Sequence, residues 1–147
     1  MGIPLAVGVT LADRVSVARA VLEGFASRDR ERLPTLFAPE VELQTRVDVM
    51  GEWRFTGHDG IRAWLAAVDD KYDRFDVVDA EYEEGADDAV VVVCRLRLQY
   101  AGDRYGMSRL AYWVFRIDAE RGLVVTFTSY RDLAEARAAA GLSSGGA

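Results

Sequence analysis

Residues 89–100 read AVVVVCRLRLQY, and their alternation decides the fold. Val90, Val92, Cys94, Leu96, Leu98 and Tyr100 fall on one side. Val91, Val93, Arg95, Arg97 and Gln99 fall on the other. A side-chain period of two is that of a β-strand. The first side is apolar and belongs against a core. The second mixes valine with arginine, which suits a face that is part solvated and part covered.

Outward from that strand, Ala101-Gly102-Asp103 reads as a turn. Met107 to Ile117 is a further strand, Ala119 to Gly122 a turn, and Leu123 to Tyr130 another strand. Upstream, Phe75 to Glu83 is also a strand. Short turns between strands imply an antiparallel sheet. Asp132 to Ala140 is alanine-rich and reads as a helix stopped by Gly141, with Asp132 as its N-cap.

The first half is helical. From Asp13, a stripe of Val15, Ala18, Val21, Leu22 and Phe25 marks one helix, broken at Ser27-Arg28-Asp29. A short second helix spans Asp29 to Phe37, with Pro34 in its first turn and Pro39 ending it. Val41, Leu43, Thr45 and Val47 alternate as an early strand. Asp48 to Thr56 reads as a loop, and a third helix follows from His58 to Tyr72 with Ile61, Trp64, Leu65 and Val68 inward. The class is α+β. Residues 1–12 are expected to be a flexible arm, 13–142 one domain, and 143–147 a disordered tail.

Composition narrows the function. The 147 residues carry 18 basic and 24 acidic side chains, a net charge of −6. That balance argues against nucleic acid and anionic membrane as partners. The apolar N-terminus lacks a basic leader region, and no run approaches the ~20 apolar residues of a membrane span. A cytoplasmic location is the expectation. One cysteine, Cys94, allows no internal disulfide. There is no His/Cys cluster, HExxH or phosphate-binding glycine loop, so neither metal nor cofactor is expected. The acidic stretch Asp79 to Asp88 reads as a solvated hairpin end.

Three stretches together resemble the nuclear-transport-factor-2-like, or SnoaL-like, superfamily. FASRDRERLPTLFAPEVEL (25–43) is similar to its helix–break–helix–strand opening. GHDGIRAWLAAV (57–68) is similar to the start of its third helix. YWVFRIDAERGLVVTFTSYRDLAEARAAAGL (112–142) is similar to its last hairpin and C-terminal helix. The resemblance implies a cone-shaped α+β barrel: a strongly curved antiparallel sheet wrapped around three N-terminal helices, with a short C-terminal helix. It implies that Val21, Phe25, Leu43, Thr45, Val47, Cys94, Leu96, Leu98, Arg109, Ala111, Trp113, Phe115, Phe127, Ser129 and Arg131 face the cone. Trp53 and Trp64 would wall its mouth.

The resemblance also says which chemistries are missing. Where ketosteroid isomerases of this fold hold a Tyr, an acid and an Asp base, the matching positions are Val21, Trp113 and Thr45. Where epoxide-hydrolase-like members hold Asp–Arg–Asp, they are Leu96, Cys94 and Ser129. A single histidine, His58, does not make the paired His and Asp of scytalone-dehydratase-like members. The implied protein binds a small apolar molecule. Its activity would be that of a cofactor-free isomerase, cyclase or hydratase, or else it is a non-catalytic ligand-binding or dimerisation module.

The proton-carrier candidates are His58, Asp48 and Tyr130. His58 suits acid–base work near neutral pH but also suits a cap on the third helix. Arg109 and Arg131 would clamp a carboxylate or phosphate, or else pair with Asp132, Asp48 or Glu42. Cys94 reads as an inert core thiol. The other sheet face, with Val91, Val93, Leu110, Tyr112, Val114, Val124 and Tyr130 among Arg95, Arg97 and Arg116, is apolar enough to seat a homodimer.

Overall fold

Six strands form one sheet in the order β2-β1-β6-β5-β4-β3. The computed structural model describes residues 3–27, 29–45 and 53–142; side chains before Arg14, and those of Thr45 and Trp53, lie outside the description. In chain order the elements are α1 (Ile3–Ser27), a 3-10 turn (Leu33–Leu36), β1 (Phe37–Thr45), β2 (Trp53–Thr56), α2 (Gly57–Lys71), β3 (Tyr72–Glu84), β4 (Ala89–Tyr100), β5 (Met107–Asp118), β6 (Leu123–Tyr130) and α3 (Leu133–Ala139).

The strand read at 89–100 is β4. It pairs antiparallel with β3 and β5, and β5 pairs antiparallel with β6. The sheet is nevertheless mixed, because β1 runs parallel to β6. Residues 53–56, read as loop, form β2 against β1, with Leu43 opposite Phe55.

Two other boundaries differ from the sequence reading. α1 begins at Ile3, so residues 3–12 are helical rather than an arm. Pro4 lies in its first turn, where a missing N–H breaks no intrahelical bond. The second helix is only the 3-10 turn, and Pro39 sits inside β1 rather than ending a helix. The β1–β6 register shifts between Phe37 and Glu42, and such an irregularity tolerates a residue without an N–H.

The inner face of the sheet packs on α1 and α2. Val90, Val92, Cys94, Leu96 and Leu98 of β4 join Ala111, Trp113 and Phe115 of β5 and Phe127 of β6 in one core. From above they meet Val21, Leu22 and Phe25 of α1 and Ile61, Trp64, Leu65 and Val68 of α2. Between Arg116 and Ile117 the β5–β6 register shifts. Such a shift changes which residues point inward, and Ile117 and Val124 are both in this core. Val124 is therefore not an outer-face residue.

The outer face carries its own helix. Ala136 of α3 and Ala140 at its C-terminal cap pack on Ala89, Val91 and Val114, with Tyr112 and Tyr130 against the same cluster. Asp132 caps α3 as expected: its carboxylate accepts from the Glu135 N–H at 2.8 Å, while Glu135 accepts from the Arg131 N–H at 3.1 Å. α3 thus covers part of the face expected to seat a second copy. Leu110 stays exposed there, beside Arg95 and Arg97.

Candidate functional site

On β5, Met107, Arg109, Ala111, Trp113 and Phe115 share one side. Cross-strand pairs set them against β4: Phe115 faces Val90, Trp113 faces Val92, Ala111 faces Cys94, Arg109 faces Leu96 and Met107 faces Leu98. On the β6 side, Phe115 faces Phe127 and Trp113 faces Ser129. The inner face therefore has one end at Phe115–Val90, labelled the narrow end, and the other at Met107–Leu98, labelled the wide end.

The narrow end is packed with rings. Phe115 and Phe127 have centroids 4.7 Å apart, and Trp113 and Phe127 5.0 Å apart. Phe25 of α1 meets Trp64 edge-on at 5.3 Å, and Trp64 meets Phe127 at 5.7 Å. Aromatic edge-to-face contacts of this kind add to the burial of the rings themselves. These side chains, expected to line a cone, pack against one another at this end of it.

Among the described residues no carboxylate or imidazole is buried with them. Among the described residues the buried polar side chains are Arg14 and Ser129. Arg14 reaches from α1 to Glu84 at the end of β3, 2.8 Å away. Ser129 stands on β6 opposite Trp113. Burial pushes the Cys94 thiol up to about 12, so it stays protonated and unreactive at neutral pH. Tyr82, on the same face, is also raised, chiefly by burial; Arg19 stacked over its ring opposes this.

Of the three proton-carrier candidates, His58 and Tyr130 make their contacts away from these rings. His58 opens α2, and its Nε2 lies 2.7 Å from the Phe37 carbonyl oxygen. A carbonyl only accepts, so that nitrogen carries the proton and His58 ties α2 to β1. Tyr130 lies on the outer face with Tyr112, against α3. Asp48 lies outside the described residues.

The ligand-contact candidates divide sharply. Val21, Phe25, Trp64, Cys94, Leu96, Leu98, Trp113, Phe127 and Ser129 are all buried on the inner side. The strands of Thr45 and Trp53 pair with each other. Arg131 lies beyond β6, exposed. Arg109 alone brings a charge to the inner face of β5, and among the described residues it enters no ion pair or side-chain hydrogen bond.

Two features escaped the sequence. The Arg14–Glu84 tie joins residues seventy positions apart, and no local pattern signals it. Met107 continues the Arg109 side by simple alternation, a signal that was present in the strand. A separate surface groove of about 460 Å³ is lined by Arg30, Glu31, Arg62, Leu65, Ala66 and Asp69. Its charges are taken up locally, Arg30 by Asp69 and Arg62 by Asp59. No helix among the described residues is long and apolar enough to cross a membrane.

Residues 18–127 match the family model described as a SnoaL-like domain. No curated protein matches the sequence. Solved structures share the fold at low identity. An NTF2-like protein of unknown function from Burkholderia pseudomallei is 24% identical, with a TM-score of 0.71 over 84% of this chain and 93% of that one. A protein from Xanthomonas campestris, provisionally named a polyketide cyclase, is 17% identical, with a TM-score of 0.70 over 88% and 97%. TerC, co-crystallised with polyporic acid, is 21% identical, with a TM-score of 0.64 over 84% and 94%.

Proposed function

The chain belongs to the SnoaL-like domain family, and from that premise we propose that it binds a flat, apolar small molecule bearing an anionic or enolisable group, with Arg109 as the polar anchor. The activity that accompanies this reading is a cofactor-free isomerisation or cyclisation, with hydration as the related case. One observation carries it: a guanidinium without an ion pair among the described residues stands between Ala111 and Met107 on an otherwise apolar face. A planar fork of donors in low-dielectric surroundings favours a carboxylate or an enolate over a neutral oxygen. The neighbours provisionally named as a cyclase and crystallised with polyporic acid lend the small-molecule class support.

A second reading, non-catalytic binding, is favoured by a different observation. Proton transfer needs a group poised near the working pH. Among the described residues no carboxylate or imidazole is buried, and the buried thiol is held protonated.

Titration with 2-hydroxy-1,4-naphthoquinone, anionic near neutral pH, and its neutral 2-methoxy analogue tests both. Quenching of tryptophan fluorescence reports binding. The hydroxy compound should bind about tenfold or more tighter than the methoxy one, and Arg109→Ala should erase that difference. A difference that survives Arg109→Ala overturns the anchor. Liquid chromatography with proton NMR of the recovered ligand separates the readings: an unchanged set of enolisable polyketide-like probes supports binding alone, and a rearranged product supports catalysis.

A further inference from the structure

The inner side of β5 changes steadily along its length. Trp113 is 5% exposed and Ala111 8%; Arg109 is half-buried, Met107 is 44% exposed, and Tyr105, just before the strand, is 80% exposed. Two residues of strand advance about 7 Å. Arg109 therefore has apolar neighbours on its strand in both directions, Ala111 and Trp113 toward the core and Met107 toward solvent, and Tyr105 follows in the connection two residues before Met107.

The outer pair is carried on a braced hairpin. The Ala101 N–H donates to the Lys71 carbonyl at 2.9 Å, and the Gly102 N–H donates to the Asp73 carboxylate at 3.1 Å. The Gln99 amide donates to the Asp103 carbonyl at 2.6 Å. These bonds join the β4–β5 turn to the end of α2 and the start of β3. An exposed tyrosine and methionine on such a support keep apolar surface in water at a cost that a bound molecule would relieve.

Charge narrows what that molecule is. In a chain of net charge −6, Arg104 and Arg109 enter no ion pair among the described residues. We propose that Met107 and Tyr105 form an outer subsite that selects ligands in which an acidic group is flanked by apolar groups on both sides. The acidic group meets Arg109. One apolar group lies inward at the level of Ala111 and Leu96, and the other rests on Met107 and Tyr105. This inference rests on the Arg109 reading above and specifies its ligand class.

The test compares 2-hydroxy-1,4-naphthoquinone with its 3-phenyl derivative, which adds an apolar group on the second side of the acidic hydroxyl. In the wild-type protein the phenyl group should tighten binding about tenfold. The double variant Met107→Ala/Tyr105→Ala should lose that gain while it binds the parent quinone as before. The inference is overturned alone if the parent binds through Arg109 but the phenyl group adds nothing, or if its gain survives in the double variant. If the parent shows no dependence on Arg109, the reading above falls and this one with it. A double variant that keeps the phenyl gain but changes mass in light scattering assigns the two side chains to a second copy instead, and also overturns it.

Discussion

The two ends of the sheet use the same residue types to opposite effect. At the narrow end aromatic rings touch one another and arginines are engaged: Arg14 with Glu84, Arg137 with Glu83, and Arg121 with both Glu40 and Asp118. Arg116 there donates to the carbonyls of Asp87 and Ala139. At the wide end of the β4–β5 hairpin, Arg95 reaches only the Ser108 hydroxyl, and Arg97, Arg104 and Arg109 have no ion pair among the described residues. Tyr105 and Met107 there face solvent. One strand, β5, runs through both regions. Stability is concentrated where polar groups are matched, and the proposed recognition falls to the end where they are not.

The sharpest way to break this comparison is to hollow out the narrow end. Phe127 touches Trp113, Phe115, Trp64 and Phe25 at ring distance. Phe127→Ala should cost about 3–5 kcal/mol in denaturant unfolding, because the rings around it belong to three other elements and cannot close the space. Arg109→Ala should move stability by less than about 0.5 kcal/mol, since it removes no matched group. Equal losses from both variants would mean that the two ends are not distinct.

A paired glycine experiment examines closure on the outer side of the narrow end. A Cβ at Gly85 would stand 2.5 Å from the Ala140 carbonyl oxygen, which already accepts from the Ala86 N–H at 2.7 Å. Backbone cannot yield there without lifting α3, so Gly85→Ala should cost about 1–3 kcal/mol. At Gly24 the obstruction, at 2.6 Å, is the Leu33 Cδ1 methyl. That side chain can rotate, and Gly24→Ala sits in a helix where alanine is favoured. Its cost should be the smaller of the two, measured by thermal unfolding of both variants.

Which of these features could be read from the chain follows from their range. Strand faces were legible because a period of two needs only the strand's identity; Cys94, Leu96, Leu98, Trp113 and Phe127 all fall inward as the alternation required. The α3 cap was legible because Asp132 and Glu135 lie within one turn. The parallel β1–β6 pairing was not, since it joins segments about eighty residues apart with no turn to announce it. For the site, the face of Arg109 was legible, but its lack of an ion pair among the described residues was not. The partner of His58 was hidden for the same reason: only the fold brings the Phe37 carbonyl to its ring. Tyr130 next to Ser129 necessarily points to the opposite side, so alternation alone argued against its joining Phe127.

The smallest effect should come from the polar clamp that marks the narrow end. Arg121 donates to Asp118 at 2.7 Å and to Glu40 at 3.1 Å, linking the β5–β6 turn to β1. Its side-chain hydrogen bonds hold both carboxyls below their usual range. A carboxylate with a lowered native pKa binds its proton more weakly folded than unfolded. Its contribution is therefore complete above the ordinary carboxylate range and fades as pH falls through the lowered values, below roughly pH 4. Arg121 and Glu40 are exposed and Asp118 is half-exposed, so salt screens the clamp and its contribution is slight. Arg121→Ala should flatten the acid limb of the stability–pH curve at low salt and leave the curve near pH 7 almost unchanged. Urea midpoints taken from pH 3 to 7 would show this. An acid limb as steep in the variant as in the wild type would place the narrow end's pH sensitivity elsewhere, with Glu84 and Glu83 next to be replaced by glutamine.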